Sequence, residues 1–263
     1  MRRNLTFPAS TSRKRTPPEG ERTFMYLRSV VIHRDSFPAH DRYPFNIPVF
    51  RHTQRVDFAA PVAFLTGENG SGKSALLDAI ARKGGFLPWG GSKIHRAHHN
   101  PFETQLANHI SLHLDPRHPY GFHFRAEAFF NFASSLDDIL LEDPARDKYY
   151  GGGSLNVLSH GESFLAFFRG YSFQLDGLYL LDEPEAALSP QNQVEFVRII
   201  LEGIAAGNKQ YLIATHSPII LGCPGSQILS FDTPTIRTID YRQTASYNFY
   251  EKFLADPAEF FKA

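Results

Sequence analysis

The sequence predicts an α/β fold built around a phosphate-binding loop, and three observations carry that prediction. Gly67-Glu68-Asn69-Gly70-Ser71-Gly72-Lys73-Ser74 satisfies G-x-x-x-x-G-K-[ST] at every fixed position. The apolar run Val62-Ala63-Phe64-Leu65 leads into it and the amphipathic run Ser74 to Ile80 leaves it, the strand-loop-helix context the motif requires. A second apolar run, Gly177-Leu178-Tyr179-Leu180-Leu181, ends in the adjacent carboxylates Asp182 and Glu183.

Composition bounds the rest. With 263 residues, 42% of them hydrophobic, the chain can bury one large α/β core or two small ones, and one domain with an insertion is expected. Lys plus Arg and Asp plus Glu both number 27, so there is no global basic footprint for nonspecific nucleic-acid binding, although a local patch remains open. A single cysteine, Cys223, excludes an internal disulfide framework and a multi-Cys zinc site and suits a reducing cytoplasm. No run approaches the roughly 20 apolar residues of a membrane span.

Residues 1–24 place Arg2, Arg3, Arg13, Lys14, Arg15 and Arg22 among Ser, Thr and Pro and read as a disordered basic tail, leaving 25–263 as the folded domain. Tyr26 to Ile32 reads as a first strand. The Pro-rich stretch Phe37 to Phe45 carries aromatics that fill the core or, alternatively, stack on a base. In the loop itself, Gly67, Gly70 and Gly72 open backbone angles closed to other residues, and main-chain N–H groups approach an anion at a helix N-terminus. Lys73 is expected to reach the β- and γ-phosphates and the Ser74 hydroxyl to ligate Mg²⁺.

A histidine-rich tract follows, with His95, His98, His99, His109, His113, His118 and His123. Its spacing matches no zinc pattern, and exposed loops that carry histidines account for it more simply than a metal centre does. Gly121 to Ala126 reads as a short strand, Glu127 to Leu141 as an aromatic-faced helix packed into the core, and Glu142 to Gly153 as a polar loop. Leu158-Ser159-His160-Gly161-Glu162 opens a helix over Ser163 to Tyr171, and its small hydroxyl and glycine suit either a second anion-binding surface or an ordinary N-cap.

Neighbouring strand positions point to opposite faces, so Asp182 and Glu183 are expected to do different jobs. Asp182 suits the Mg²⁺ shell, and Glu183 suits a general base that polarises the attacking water. The strand Gln210 to Ala214 delivers Thr215-His216-Ser217-Pro218 at its C-terminal end, the ligand edge of a doubly wound sheet, where His216 can meet a γ-phosphate.

Taken in order, the motifs Gly67 to Ser74, Leu158 to Glu162, Leu178 to Glu183 and His216 resemble the ATP-binding-cassette (ABC) class of P-loop ATPases. The wording Leu181 to Pro190 and Ala214 to Pro218 is most similar to small stand-alone ATPases related to the SMC and RecF heads. The resemblance runs from about Tyr26 to the C-terminus and implies an ABC-ATPase-like core with a helical insert at about 127–175. It implies ATP and Mg²⁺ as ligands, hydrolysis by Glu183 and His216, and a head-to-tail homodimer in which Ser159 and Gly161 of one chain meet the phosphate held by Lys73 of the other. Ala186-Ala187-Leu188-Ser189 would be the D-loop at that interface, and ATP the bridge that hydrolysis weakens.

The sequence departs from the family pattern in two places. His160 stands for a glycine and Glu162 for a glutamine in the signature, and Glu127 takes the place of the Q-loop glutamine as a metal ligand, with Gln105 as the other candidate. No long heptad run separates Lys73 from Ser159, so a long-armed SMC protein is excluded. Two other tasks stay open: a nucleotide-switched module that holds DNA or an effector protein in repair or defence, and the energising subunit of a membrane transporter.

Overall fold

The computed structural model describes residues 25–89, 102, 104–115, 120–126, 160–207 and 209–262. The basic tail at 1–24, the aromatic helix expected over 127–141, the polar loop after it, and Glu127, Leu158 and Ser159 lie outside the described residues.

Two sheets organise the described chain. Strands β1 (Leu27–Ile32), β2 (Arg55–Asp57) and β5 (Ile110–Leu114) form a three-stranded antiparallel sheet in the order β2-β1-β5. The second sheet has seven strands in the order β10-β9-β3-β8-β7-β6-β4, built from β3 (Val62–Thr66), β4 (Leu87–Trp89), β6 (Tyr120–Arg125), β7 (Gly177–Asp182), β8 (Lys209–Ala214), β9 (Gln227–Ser230) and β10 (Arg237–Ile239). All its pairs are parallel except β10 with β9.

The central strands β3, β7 and β8 are buried along their whole length, because helices or the small sheet cover both faces. Their side chains alternate between two cores as the pleat demands. Ala63, Leu65, Leu178, Leu180, Leu212 and Ala214 join α2 (Lys73–Gly84) and the small sheet on one face. Val62, Phe64, Tyr179, Leu181, Tyr211 and Ile213 join α3 (His160–Arg169), α4 (Tyr171–Gln174) and α5 (Pro190–Ala206) on the other. Rings dominate this second core: Phe122, Phe124, Phe164, Phe167, Phe168, Phe173 and Phe196 meet mostly edge to face, at centroid distances of 4.3 to 6.2 Å.

The small sheet is pinned to the large one by a buried side chain. Gln210, fully buried on β8, accepts from the Leu27 N–H through Oε1 and donates to the Leu27 carbonyl through Nε2, both at 2.8 Å. Three further helices, α1 (Pro48–His52), α6 (Pro218–Leu221) and α7 (Ala245–Ala255), complete the α-helices of the described fold.

Several expectations are corrected. The helix expected from Ser163 begins three residues earlier, at His160, and ends at Arg169, because Gly170 takes an extended conformation before the separate turn of α4. The histidine tract is not a run of exposed loop: His109 closes a 3-10 turn, His113 lies on β5, and His123 is buried on β6. Each has packing or hydrogen-bonding work of its own. His109 lies edge-on to Phe37 and Phe45, His113 Nδ1 pairs with the Ser29 hydroxyl at 2.9 Å, and His123 Nδ1 is 3.7 Å from Asp78. His95, His98, His99 and His118 lie outside the described residues.

Candidate functional site

The phosphate loop, the twin carboxylates and the histidine motif leave the C-terminal ends of β3, β7 and β8, which are neighbours in the sheet, so all three open on one edge. Gly67, Gly70 and Gly72 have φ of 148°, 78° and 107°. At Gly72 the requirement for glycine is double: the angle is closed to L residues, and a Cβ there would lie 3.0 Å from the Phe50 ring.

Lys73, the first residue of α2, is buried, and its Nζ donates to the carbonyls of Gly67 at 2.6 Å and Glu68 at 2.9 Å. Burial lowers its pKa, while Glu183, Asp182, Asp232 and Glu185 pull in the opposite direction. The Ser71 hydroxyl is buried with no hydrogen-bond partner among the described residues, a donor without an acceptor inside the cradle.

The Ser74 hydroxyl donates to Asp182 Oδ1 at 2.9 Å. Asp182 is buried, which pushes its carboxyl up to about 6 against the favourable bond from Ser74. These are two hard oxygen donors side by side, the type of set Mg²⁺ takes, and a bound cation would favour the carboxylate over the acid. The four carboxylates around Lys73 would repel a triphosphate, so a divalent cation suits the charge balance of the edge.

Asp182 and Glu183 do part company. Glu183 leaves the strand in the left-handed region, at φ 50°, ψ 52°, the sole non-glycine residue with positive φ among those described. Its backbone N–H donates to the Ala214 carbonyl at 2.9 Å, and its half-exposed side chain stands 4.0 Å from His216 Nε2. Conformations of this kind cost about 1 to 3 kcal/mol and gather at functional sites. His216 Nε2 has no hydrogen-bond partner among the described residues.

The sequence assigns no role to two residues at this edge. Asp232, just past β9, accepts from the Glu68 N–H at 2.9 Å, and a Cβ on Gly67 would lie 3.0 Å from its Oδ1. Glu185 accepts from the His216 N–H at 2.6 Å. Both contacts join segments far apart in the chain, so no local spacing announces them. Beside the loop lies a cavity of about 1150 Å³, lined by Tyr43, Glu68, Gly70, Ser71, Asp232 and Arg237 among others. In the Pro-rich stretch before it, Phe37 and Phe45 are core residues 4.7 Å apart, whereas Tyr43 is exposed and faces the cavity.

Of the signature, Gly161 and Glu162 lie in the first turn of α3, after His160, and Glu162 is exposed. A Cβ on Gly161 would lie 2.5 Å from Asn192 Nδ2 and 3.4 Å from the Ala187 carbonyl, so this turn packs on the loop that follows Glu183 in the same chain. Gln105 opens a 3-10 turn that leads into β5, a strand of the small sheet. The described part of the chain before the insert ends at Ala126, after Arg125, which is in register with Asp182.

Two family models match the chain: "AAA ATPase domain" over residues 158–221 and "AAA domain" over residues 45–82. Together they cover the phosphate loop and the stretch that carries Asp182, Glu183 and His216. The chain is an ATPase with a P-loop. No curated protein matches this ATPase in sequence. Solved structures similar to it include the SMC head domain from Thermotoga maritima, 15% identical over 82% of this chain and 98% of that one, with a TM-score of 0.44. Others are cbiO1 from Clostridium perfringens, part of the ABC transporter complex cbiONQ, at 14% identity, 89% and 98% coverage and a TM-score of 0.45, and MJ1267, an ATP-binding cassette of an ABC transporter, at 15%, 92% and 100% coverage and 0.42. Among the described residues of this ATPase no helix is long and apolar enough to cross a membrane.

Proposed function

We propose that this ATPase binds ATP with Mg²⁺ and closes head to tail with a second copy of itself around two nucleotides. Gly67, Glu68, Asn69, Gly70, Ser71, Gly72, Lys73 and Ser74 cradle the phosphates, and Lys73 exchanges its loop carbonyls for phosphate oxygens. Ser74 and Asp182 hold Mg²⁺, joined in this reading by Glu127. Mg²⁺, when bound, offsets the charge that builds on the transferring phosphoryl group. Glu183 takes a proton from the attacking water, and His216 donates to the γ-phosphate from the other side of the same gap. The observation that carries the hydrolytic assignment is the separation of roles at one sheet edge, with Asp182 buried on Ser74 and Glu183 turned out to His216.

The dimer rests on the position of α3. Its first turn packs on Ala187 and Asn192 of the same chain, and in this reading the two anion-binding surfaces of one chain serve different nucleotides. Leu158, Ser159, His160, Gly161 and Glu162 of one copy would then cap the phosphate held by Lys73 of the other, with Ala186 to Ser189 between them. Residues 25–263 form the ATPase domain in this reading, the segment at about 127–175 is its helical insert, and the cytoplasm is where the cycle runs.

Glu183→Gln tests the reading. The variant is expected to bind ATP, to lose hydrolysis by about 10²-fold or more, and to elute as a dimer when ATP and Mg²⁺ are in the size-exclusion buffer. Elution as monomer alone, with ATP bound, overturns the dimer, and unchanged turnover overturns the base.

A further inference from the structure

Glu185 is a charged side chain for which the hydrolytic reading has no use. It stands in a 3-10 turn, Pro184–Ala187, closed by the Ala186 N–H on the Glu183 carbonyl and by the Leu188 N–H on its own carbonyl. Its Oε1 accepts the backbone N–H of His216 at 2.6 Å, whereas its Oε2 is buried with no hydrogen-bond partner among the described residues. A half-satisfied buried carboxylate is costly, so an apolar residue would serve mere packing better. What this one does is hold a single main-chain atom, the amide of the residue whose ring faces Glu183.

The surroundings show why that amide needs holding. Thr215, His216 and Ser217 form the link between β8 and α6, with no ladder partner of their own beyond the Thr215 N–H on the Leu65 carbonyl. Ser217 is tied down independently: its hydroxyl caps α6 at Ile219 and Ile220 and donates to Gln193, whose Nε2 in turn donates to the Leu188 carbonyl at 3.0 Å. Glu183 is tied to the strand end through Ala214. Between these two anchors the His216 N–H donates to a side-chain oxygen, and that oxygen belongs to the segment that carries Glu183. The length of Glu185 therefore sets the distance between its two neighbours in the reaction.

We propose that Glu185 is a positioning residue for hydrolysis, a backbone clamp that fixes His216 opposite Glu183 and ties that placement to the loop 186–189. The inference rests on His216 acting at the γ-phosphate, as proposed above. The clamp needs an acceptor oxygen at the right reach, not a negative charge.

Four variants of the full chain separate the outcomes: Glu185→Ala, Glu185→Gln, Glu185→Asp and His216→Ala, each measured for ATP affinity, kcat, KM and thermal midpoint. Loss of the clamp is expected to lower kcat by about 10²-fold in Glu185→Ala, the scale of a misplacement near 1 Å, while KM and ATP affinity stay near wild type. Glu185→Gln keeps an acceptor at the same reach and is expected to recover most of kcat, whereas Glu185→Asp, one methylene short, is not. Equal loss in Glu185→Gln and Glu185→Ala overturns the clamp, because the charge would then be the operative property. Full kcat in Glu185→Ala beside a crippled His216→Ala overturns it as well. An active His216→Ala instead removes the γ-phosphate contact on which the clamp rests, and shows that the underlying reading has failed. If Glu185→Ala falls below the temperature of the assay, the contrast between Glu185→Gln and Glu185→Asp decides alone.

Discussion

His123 is buried on β6, with Asp78 and Arg82 of α2 and Arg125 of its own strand facing it, and this environment pushes its pKa from 6.5 down to about 4. Desolvation is the largest cause and the two arginines add to it, while Asp78 opposes. A base whose folded pKa lies below its unfolded value takes up its proton first in the unfolded chain. Its contribution to stability is therefore intact above about pH 6.5 and is lost as pH falls toward 4. The loss is of order 3 kcal/mol across that window, taking 1.36 kcal/mol per pKa unit. His123→Leu removes the titration and leaves the ion pair of Arg125 with Asp78 at 2.9 Å in place. The difference in urea midpoint between pH 7 and pH 4.5 is expected to shrink in the variant relative to wild type, and an identical acid limb would rule out His123 as its source. The sequence places His123 on a strand through the run Gly121 to Ala126, but its burial comes from β7 and α2, which are remote in the chain.

Among elements, the attachment of the antiparallel sheet to the parallel one turns on Gln210. Its amide satisfies both backbone groups of Leu27 in a fully buried setting, so Gln210→Ala leaves two main-chain groups unpaired away from water. A cost of about 3 kcal/mol is expected from such groups. Denaturant unfolding measures it, and a change under 0.5 kcal/mol would mean that the sheets hold together without the clamp. Gln210→Glu is expected to be no better, since a carboxylate cannot donate to the Leu27 carbonyl.

The same contrast between local and remote pairing decides which elements can be read from the sequence. β3, the phosphate loop and the start of α2 are contiguous, and their glycines, apolar run and amphipathic face declare themselves within a short stretch. β7 and β8 are legible because strands buried on both faces carry continuous apolar runs, here Leu178 to Leu181 and Tyr211 to Ala214. β5 escapes notice, since Ile110–Leu114 becomes a strand only by pairing with β1, far earlier in the chain. The start of α3 is misread by three residues because Gly161, a poor helix former, is held in the helix by close packing on Asn192 and Ala187. In the site, Lys73, Ser74, Asp182, Glu183 and His216 are visible as motif positions, whereas Asp232 and Glu185 act through contacts that only the fold creates.

At the scale of the whole molecule, the described residues that meet at the phosphate-loop edge come from the ends of adjacent strands. Lys73, Ser74, Asp182, Glu183 and His216 converge from adjacent strand ends, while the turn that opens α3 is held against Ala187 and Asn192. If a second copy faces this edge, each site takes Lys73 from one chain and Ser159 from the other, and the two sites of a symmetric dimer are equivalent. Lys73→Ala and Ser159→Arg are then each inactive alone, for different reasons: the first lacks the cradle, the second the cap. Mixed in equal amounts they complement. Half of the dimers pair unlike chains, and each of these holds one site with an intact Lys73 facing an intact Ser159, so about a quarter of wild-type turnover is expected on random pairing. Turnover in the mixture that stays at the sum of the two variants would mean that one chain completes its own site, and the head-to-tail arrangement would fall with it.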